Sequence, residues 1–385
     1  MSGGNRAMKT NPMVALGAAG QSPWLDYIER GLISSGGLAR LVSEDGIRGV
    51  TSNPTIFEKA ISGGHEYDVQ IQALAAAGTG VFEAYVAIVA EDIRRAADVL
   101  RPVYDASGGA DGFVSLEVEP GLAYDTGKTV GRAEELFRLA GRPNVFIKVP
   151  GTVEGLPAVE ELIARGVPVN ITLIFSVMRY VEVAQAYLRG LERLTASGGD
   201  LRRVPSVASF FVSRVDTAVD KKLDGIVPMF PGSPRAETAI SLKGRVAVAN
   251  ARLAYARFRE IVASPRWAAL AAKGARVQRP LWASTGTKNP KYSDVKYVEE
   301  LIGPDTVNTL PPQTIDAFRD HGRVADALTG KEAEARALLG DLGALDIGIE
   351  EVCEALVRDG VKSFAGSFDK LLAAIDRRLK SANVA

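Results

Sequence analysis

Eight times along this chain a short apolar run with β preference ends in polar residues and gives way to a longer stretch with helical spacing. The runs are SPWLDY with Asp26 near its end, Gly46 to Thr55, Asp111 to Pro120, Asn144 to Thr152, Pro168 to Phe175, Pro205 to Ser213, Arg279 to Thr285 and Asp305 to Pro312. Strands that alternate with helices pair in parallel, because each helix carries the chain back to the starting edge. A count of eight predicts an α/β fold, a (β/α)8 TIM-type barrel with extra helices. A doubly wound open sheet shares the alternation and stays open as an alternative on pattern alone.

The helical stretches carry their own punctuation. Val81, Tyr85, Ile88, Ile93, Ala96 and Leu100 recur near the 3.6 period, and Val130 to Leu139 reads as helix. Pro157 suits a first helical turn and Gly166 its far end. Ser176 suits an N-cap for a helix through Leu188. A helix ends near Leu223, Pro228 to Pro234 is loop, and one long helix spans about Ser241 to Val262. Residues 1–21, rich in Gly, Ala, Ser and Asn, are expected to fray, and a cleaved secretory leader there is disfavoured by a short, Gly-interrupted apolar stretch. Residues 22–385 are expected to form one domain. Within it, 323–359 reads as an extra helical segment and 361–380 as a separate C-terminal packing helix, with Phe364, Phe368, Leu371, Leu372, Ile375 and Leu379 on one face.

Composition limits the function classes. Lys plus Arg and Asp plus Glu are 46 each, so no global charge excess points to nucleic acid or an acidic membrane. No apolar run approaches the roughly 20 residues of a membrane span, and the protein is expected in the cytosol. One cysteine, Cys353, excludes an internal disulfide and falls in a helix-like run as a small buried filler. Two histidines, His65 and His321, are poor material for a transition-metal site, so none is expected.

In a barrel the C-terminal ends of the strands share one mouth. The polar residues there are Asp26, Asn53, Glu117, Lys148, Asn170, Thr172, Ser209 and Ser284. Each has a plain structural reading: Asp26 as a helix cap, Asn53-Pro54 as a turn starter, Lys148 as a lysine reaching solvent from a strand end. Taken together, a lysine among apolar neighbours, two carboxylates, two amides and several hydroxyls suit one chemistry. A desolvated ammonium gives up its proton more readily and becomes a nucleophile toward carbonyl carbon, with carboxylates as acid and base.

Six segments in order add a resemblance. TSNPTIF, SLEVEPGLAYDT, FIKVPGT, VNITLIFS, ASFFVSRVD and LWASTGTKNP resemble the transaldolase family, over about Trp24 to Leu379, and GVKSFAGSFDKLL resembles the ending of its longer bacterial members. The resemblance implies a TIM-type barrel that needs no organic or metal cofactor and acts on sugar phosphates, as monomer or homodimer. It implies a Schiff base on Lys148, Asp26 as the base at the C4 hydroxyl, and Glu117 with Thr172 as a proton-transfer pair. Asn53, Asn170, Ser209 and Ser284 would bind substrate, the first three holding the dihydroxyacetone unit, and Arg214 would bind phosphate. Many members carry an arginine shortly after the serine matching Ser284. This chain reads Ser284-Thr285-Gly286-Thr287-Lys288, so Lys288 is the candidate second phosphate ligand. The implied reaction converts sedoheptulose 7-phosphate and glyceraldehyde 3-phosphate into erythrose 4-phosphate and fructose 6-phosphate.

Three rivals stand beside it. GLAYDTGKT nearly spells a P-loop, but its glycines are one residue too far apart. A class I aldolase that releases dihydroxyacetone would form the same imine. A non-catalytic sugar-phosphate binder could reuse the scaffold.

Overall fold

The computed structural model describes residues 11–382. Its eight strands are β1 Gln21–Leu25, β2 Gly49–Val50, β3 Phe113–Glu117, β4 Val145–Pro150, β5 Val169–Ile174, β6 Ser206–Phe211, β7 Arg279–Ala283 and β8 Thr306–Leu310. They pair in sequence order, all parallel, and β8 closes on β1. The barrel is therefore the correct choice over an open sheet. Every apolar run but the first contains its strand, and β1 starts one residue ahead of its run, at Gln21. The second run overshoots most, because Asn53 and Pro54 already cap and begin a helix, Pro54–Gly63. Backbone bonds from Arg48 to Pro23 and from Thr51 to Leu25 nevertheless prolong the β1–β2 seam past both ends of β2.

Side chains two apart on a strand share a face, so the barrel interior fills in layers. The rings of Trp24, Phe113 and Phe146 are buried and stacked, with centroids 6.1 Å apart for Trp24–Phe146 and 4.1 Å for Phe113–Phe146. They plug the barrel below Lys148, which sits two residues beyond Phe146. Gly49 makes room for this plug: a Cβ there would lie 2.3 Å from the Trp24 ring.

Three expectations need correction. Residues 1–10 lie outside the described residues, but 11–21 is ordered. Pro12–Ala18 is a helix capped by the Asn11 side chain, with Met13 and Leu16 buried, and Gln21 opens β1. The Gly/Ala composition concealed an i, i+3 apolar pair that packs on the barrel. The long helix from Ser241 is two, Pro234–Leu242 and Val246–Val262, broken at Gly244 with φ +67. The boundary near residue 360 does not exist either. Ile349–Ala382 is one helix of 34 residues, and Gly360 continues it rather than ending it. That glycine lets the helix press against β5: a Cβ on it would sit 2.9 Å from Leu173 Cδ2. Inside 323–359 the described helix begins at Glu332 and ends at Ala344, before the long one starts.

Among the described residues, no helix is long and apolar enough to cross a membrane, and no cluster of three or more His, Cys, Asp or Glu is arranged to hold a metal ion. Cys353 is buried on the long helix, its Sγ donating to the Phe175 carbonyl at 3.2 Å, and burial pushes its thiol far up.

Replacing Gly49 with Ala should overpack the aromatic plug and cost about 1–3 kcal/mol. Urea unfolding checks this: the midpoint should fall with the slope unchanged, and an unaltered midpoint would contradict the packing described.

Candidate active site

Parallel register sets the first contacts. Glu117 of β3, Lys148 of β4 and Asn170 of β5 are direct neighbours across the sheet. Lys148 is buried, and its Nζ donates to Glu117 Oε2 at 3.0 Å and to the Ser52 carbonyl at 2.9 Å. Ser52 is itself fixed by its hydroxyl, which donates to the Ser115 carbonyl. An ammonium has three donors, so two are committed to protein and the third direction is left for the cavity. Burial raises the Glu117 carboxyl above the usual carboxylate range, and the neighbouring Lys148 charge pulls it partly back.

Beyond Lys148 lies a cavity of roughly 140 Å³ whose lining includes Asp26, Thr51, Asn53, Lys148, Thr172, Ser209, Phe211, Arg214, Ser284 and Lys288, with Thr309 and Phe364 also in its wall. Asp26 follows β1 directly, and its amide donates to the Leu310 carbonyl at the seam with β8. It is partly exposed and lines this mouth. Burial raises the Asp26 carboxyl; a hydrogen bond from Thr51 and the charges of Lys148, Lys288 and Arg214 oppose the rise. Thr51 Oγ1 lies 2.7 Å from Asp26 Oδ1 and 2.7 Å from Thr309 Oγ1. A hydroxyl has one proton to give. When Asp26 is ionised, Thr51 donates to it and accepts from Thr309, so the two threonines form an oriented chain that favours the carboxylate.

Thr172 is buried on β5 and its hydroxyl has no protein partner, which leaves it for a bound molecule. Its direction follows from a bulge. Leu173 takes φ +58 and the register with β6 shifts between Ile171 and Ile174, which re-aims the strand end. Asn53 spends its Oδ1 on the Ile56 amide as a helix cap, and its side chain still borders the cavity. One side chain thus both opens the helix and borders the cavity.

Asn170 is not among the residues that line the cavity. It is fully buried beneath the cavity, donating to Ser115 Oγ at 3.0 Å and accepting from Ser209 Oγ at 2.7 Å. Of the three residues expected to hold the sugar, Asn53 and Ser209 line the opening, whereas Asn170 fixes Ser209 from below. Ser284 lines it too, in a left-handed backbone conformation with φ +57, its Oγ 3.0 Å from Ser213 Oγ.

Arg214 stands in the first turn of the helix Ser213–Ile226. Among the described residues its guanidinium has no ion-pair partner and lies over two rings, 5.3 Å from the centroid of Phe211 and 5.8 Å from that of Phe364. Burial lowers its pKa, and Asp26 and Glu117 oppose the shift. Lys288 is exposed at the rim. Three cations therefore face two carboxylates that burial already disfavours as anions, a balance that suits an anionic ligand.

GLAYDTGKT is not a phosphate cradle. Asp125 caps the helix Thr126–Ala140 by accepting from the Lys128 amide at 3.0 Å, so a carboxylate already holds the position an anion would take.

Thr51, Thr309, Ser115 and Phe364 were not among the expected site residues. Thr51 and Thr309 were within reach, since both lie in strand runs already identified. Nothing local in the sequence signals Phe364 or Ser115.

A buried lysine at a barrel strand end, paired with one carboxylate and facing another across a cationic cavity, is an arrangement suited to lysine chemistry on carbonyl substrates in a (β/α)8 enzyme. The family described as Transaldolase/Fructose-6-phosphate aldolase matches residues 23–375. Proteins named Transaldolase from Acidothermus cellulolyticus and Saccharopolyspora erythraea are each 50% identical to the chain, over 97% of it and over 98% and 100% of their own lengths. The Mycobacterium tuberculosis protein of that name is 49% identical over 97% of the chain and 98% of its own length. The chain belongs to the transaldolase family.

The threonine chain makes a specific pH prediction. A carboxylate acts as a base only when ionised, so with Asp26 in that role activity would fall as pH drops through its pKa. Thr51→Val removes a bond that lowers that pKa, so the acid limb of the kcat/KM profile should move to higher pH. An unmoved limb would contradict the assignment.

Proposed function

We propose that the protein transfers a dihydroxyacetone unit between sugar phosphates through a Schiff base on Lys148. The observation that carries this reading is the Lys148 amine, buried against Glu117 and open on its remaining side to the cavity shared with Asp26 and Thr172. Neutral Lys148 attacks the C2 carbonyl of fructose 6-phosphate or sedoheptulose 7-phosphate. Glu117 and Thr172 move protons while the carbinolamine loses water and becomes the iminium. Asp26 then takes the C4 hydroxyl proton and the C3–C4 bond breaks. Its electrons enter the iminium, leaving an enamine on the lysine and releasing an aldose phosphate. The enamine carbon attacks the aldehyde of the acceptor, Asp26 returns the proton to the new C4 oxygen, and hydrolysis frees the ketose. The iminium is the electron sink, so no separate cofactor is required by this chemistry.

Asn53, Ser209 and Ser284 orient the three-carbon unit, Asn170 acting through Ser209. Arg214 takes the substrate phosphate with its planar fork, and Lys288 adds a point charge at the rim. The protein acts as a transaldolase, a transferase of the pentose phosphate pathway, working in the cytosol as monomer or homodimer.

The family's description also includes fructose-6-phosphate aldolase, which keeps one second reading in play. An aldolase would make the same enamine but protonate it and release dihydroxyacetone. Fructose 6-phosphate with erythrose 4-phosphate should give sedoheptulose 7-phosphate and glyceraldehyde 3-phosphate, with little free dihydroxyacetone when the acceptor is omitted. Rapid dihydroxyacetone release without acceptor would make the protein an aldolase. Asp26→Ala should still trap ketose under borohydride but lose carbon–carbon cleavage, and failure to trap would overturn the role given to Asp26.

A further inference from the structure

The long C-terminal helix reaches the cavity through Phe364, a buried side chain whose ring helps wall it. The same ring faces Arg214, which has Phe211 over its other contact and no ion-pair partner among the described residues. An unpaired guanidinium beside an open cavity has little to fix its fork, and an aromatic face does so without neutralising its charge. The helix is pinned on both sides of Phe364. Cys353 Sγ donates to the Phe175 carbonyl just beyond β5, and Thr55 Oγ1 donates to Ser367 Oγ at 2.8 Å. Between these anchors Gly360 allows the close approach to Leu173, and a Cβ there would also lie 3.8 Å from an Arg214 terminal nitrogen.

We propose that Phe364 is a specificity-determining positioning residue: together with Phe211 it holds Arg214 in the geometry that accepts a substrate phosphate, so selectivity for phosphorylated ketoses depends on the C-terminal helix. This rests on the assignment of Arg214 to phosphate. The ring touches no reacting atom, so its loss affects the capture of phosphorylated donors and not the chemistry at Lys148.

Borohydride trapping titrated with fructose 6-phosphate and with unphosphorylated fructose separates the two effects, because imine formation needs no acceptor. Phe364→Met keeps side-chain volume and removes the ring face. It should raise half-saturation for fructose 6-phosphate about tenfold and leave that for fructose within about twofold. Phe364→Tyr keeps the ring and should preserve the parental preference. Equal weakening of both donors by Phe364→Met, or no change in either, overturns the inference. Arg214→Ala serves as reference and should abolish the preference for the phosphorylated donor. If it does so while Phe364→Met leaves the preference intact, this inference alone falls. If Arg214→Ala leaves the preference intact, the phosphate assignment falls and takes the inference with it.

Discussion

The buried contact between Lys148 and Glu117 constrains everything around it. Two ionisable groups this deep in a barrel lose most of their hydration, and an unpaired one would cost several kcal/mol. Adjacent parallel strands in register put the partners side by side, so the pair depends on β3 and β4 keeping their alignment. Register in turn depends on which residues fill the barrel below, where a one-residue slip would turn Trp24, Phe113 and Phe146 out of their stack. The packing of the plug and the placement of the amine are therefore one constraint.

From that pair the site spreads outward by hydrogen bonds and charge. Asn170 shares the Lys148 layer and carries the order to Ser209. Asp26 sits at the β8–β1 seam, and its two-threonine chain biases it toward the form a base requires, against the burial that opposes it. Glu117 and Asp26 are both raised by burial but differ in company. Glu117 is tied directly to the lysine, whereas Asp26 is reached by its charge alone and held by Thr51. The environments differ in a way that suits two separate proton-handling roles. The last part of the wall comes from far along the chain, where one helix of 34 residues brings Phe364 over Arg214.

Much of this was legible before any coordinates. Eight apolar runs sufficed for eight strands because parallel barrel strands are buried on both faces and read as continuous apolar segments. Most of the strand-end polar residues border one cavity, since the barrel gives all eight ends one mouth, while Glu117 and Asn170 stand behind its lining. What was not legible is tertiary. The Asn170 amide could not be placed below the cavity until its neighbours Ser115 and Ser209 were known. The boundary expected between 359 and 361 falls on Gly360, which instead continues the helix and serves close contact with Leu173. Met13 and Leu16 lay hidden in a stretch whose composition resembles a frayed terminus. Phe364 looked like one of six residues on a packing face and gave no sign that it also borders the site.

The central claim is that the Lys148 amine becomes covalently bound to sugar. Its most direct test is peptide mapping by mass spectrometry after borohydride reduction in the presence of fructose 6-phosphate. The account predicts a reduced three- or six-carbon adduct on the peptide containing Lys148, and none in Lys148→Ala. An adduct on a different lysine, or undiminished labelling of the variant, would contradict it.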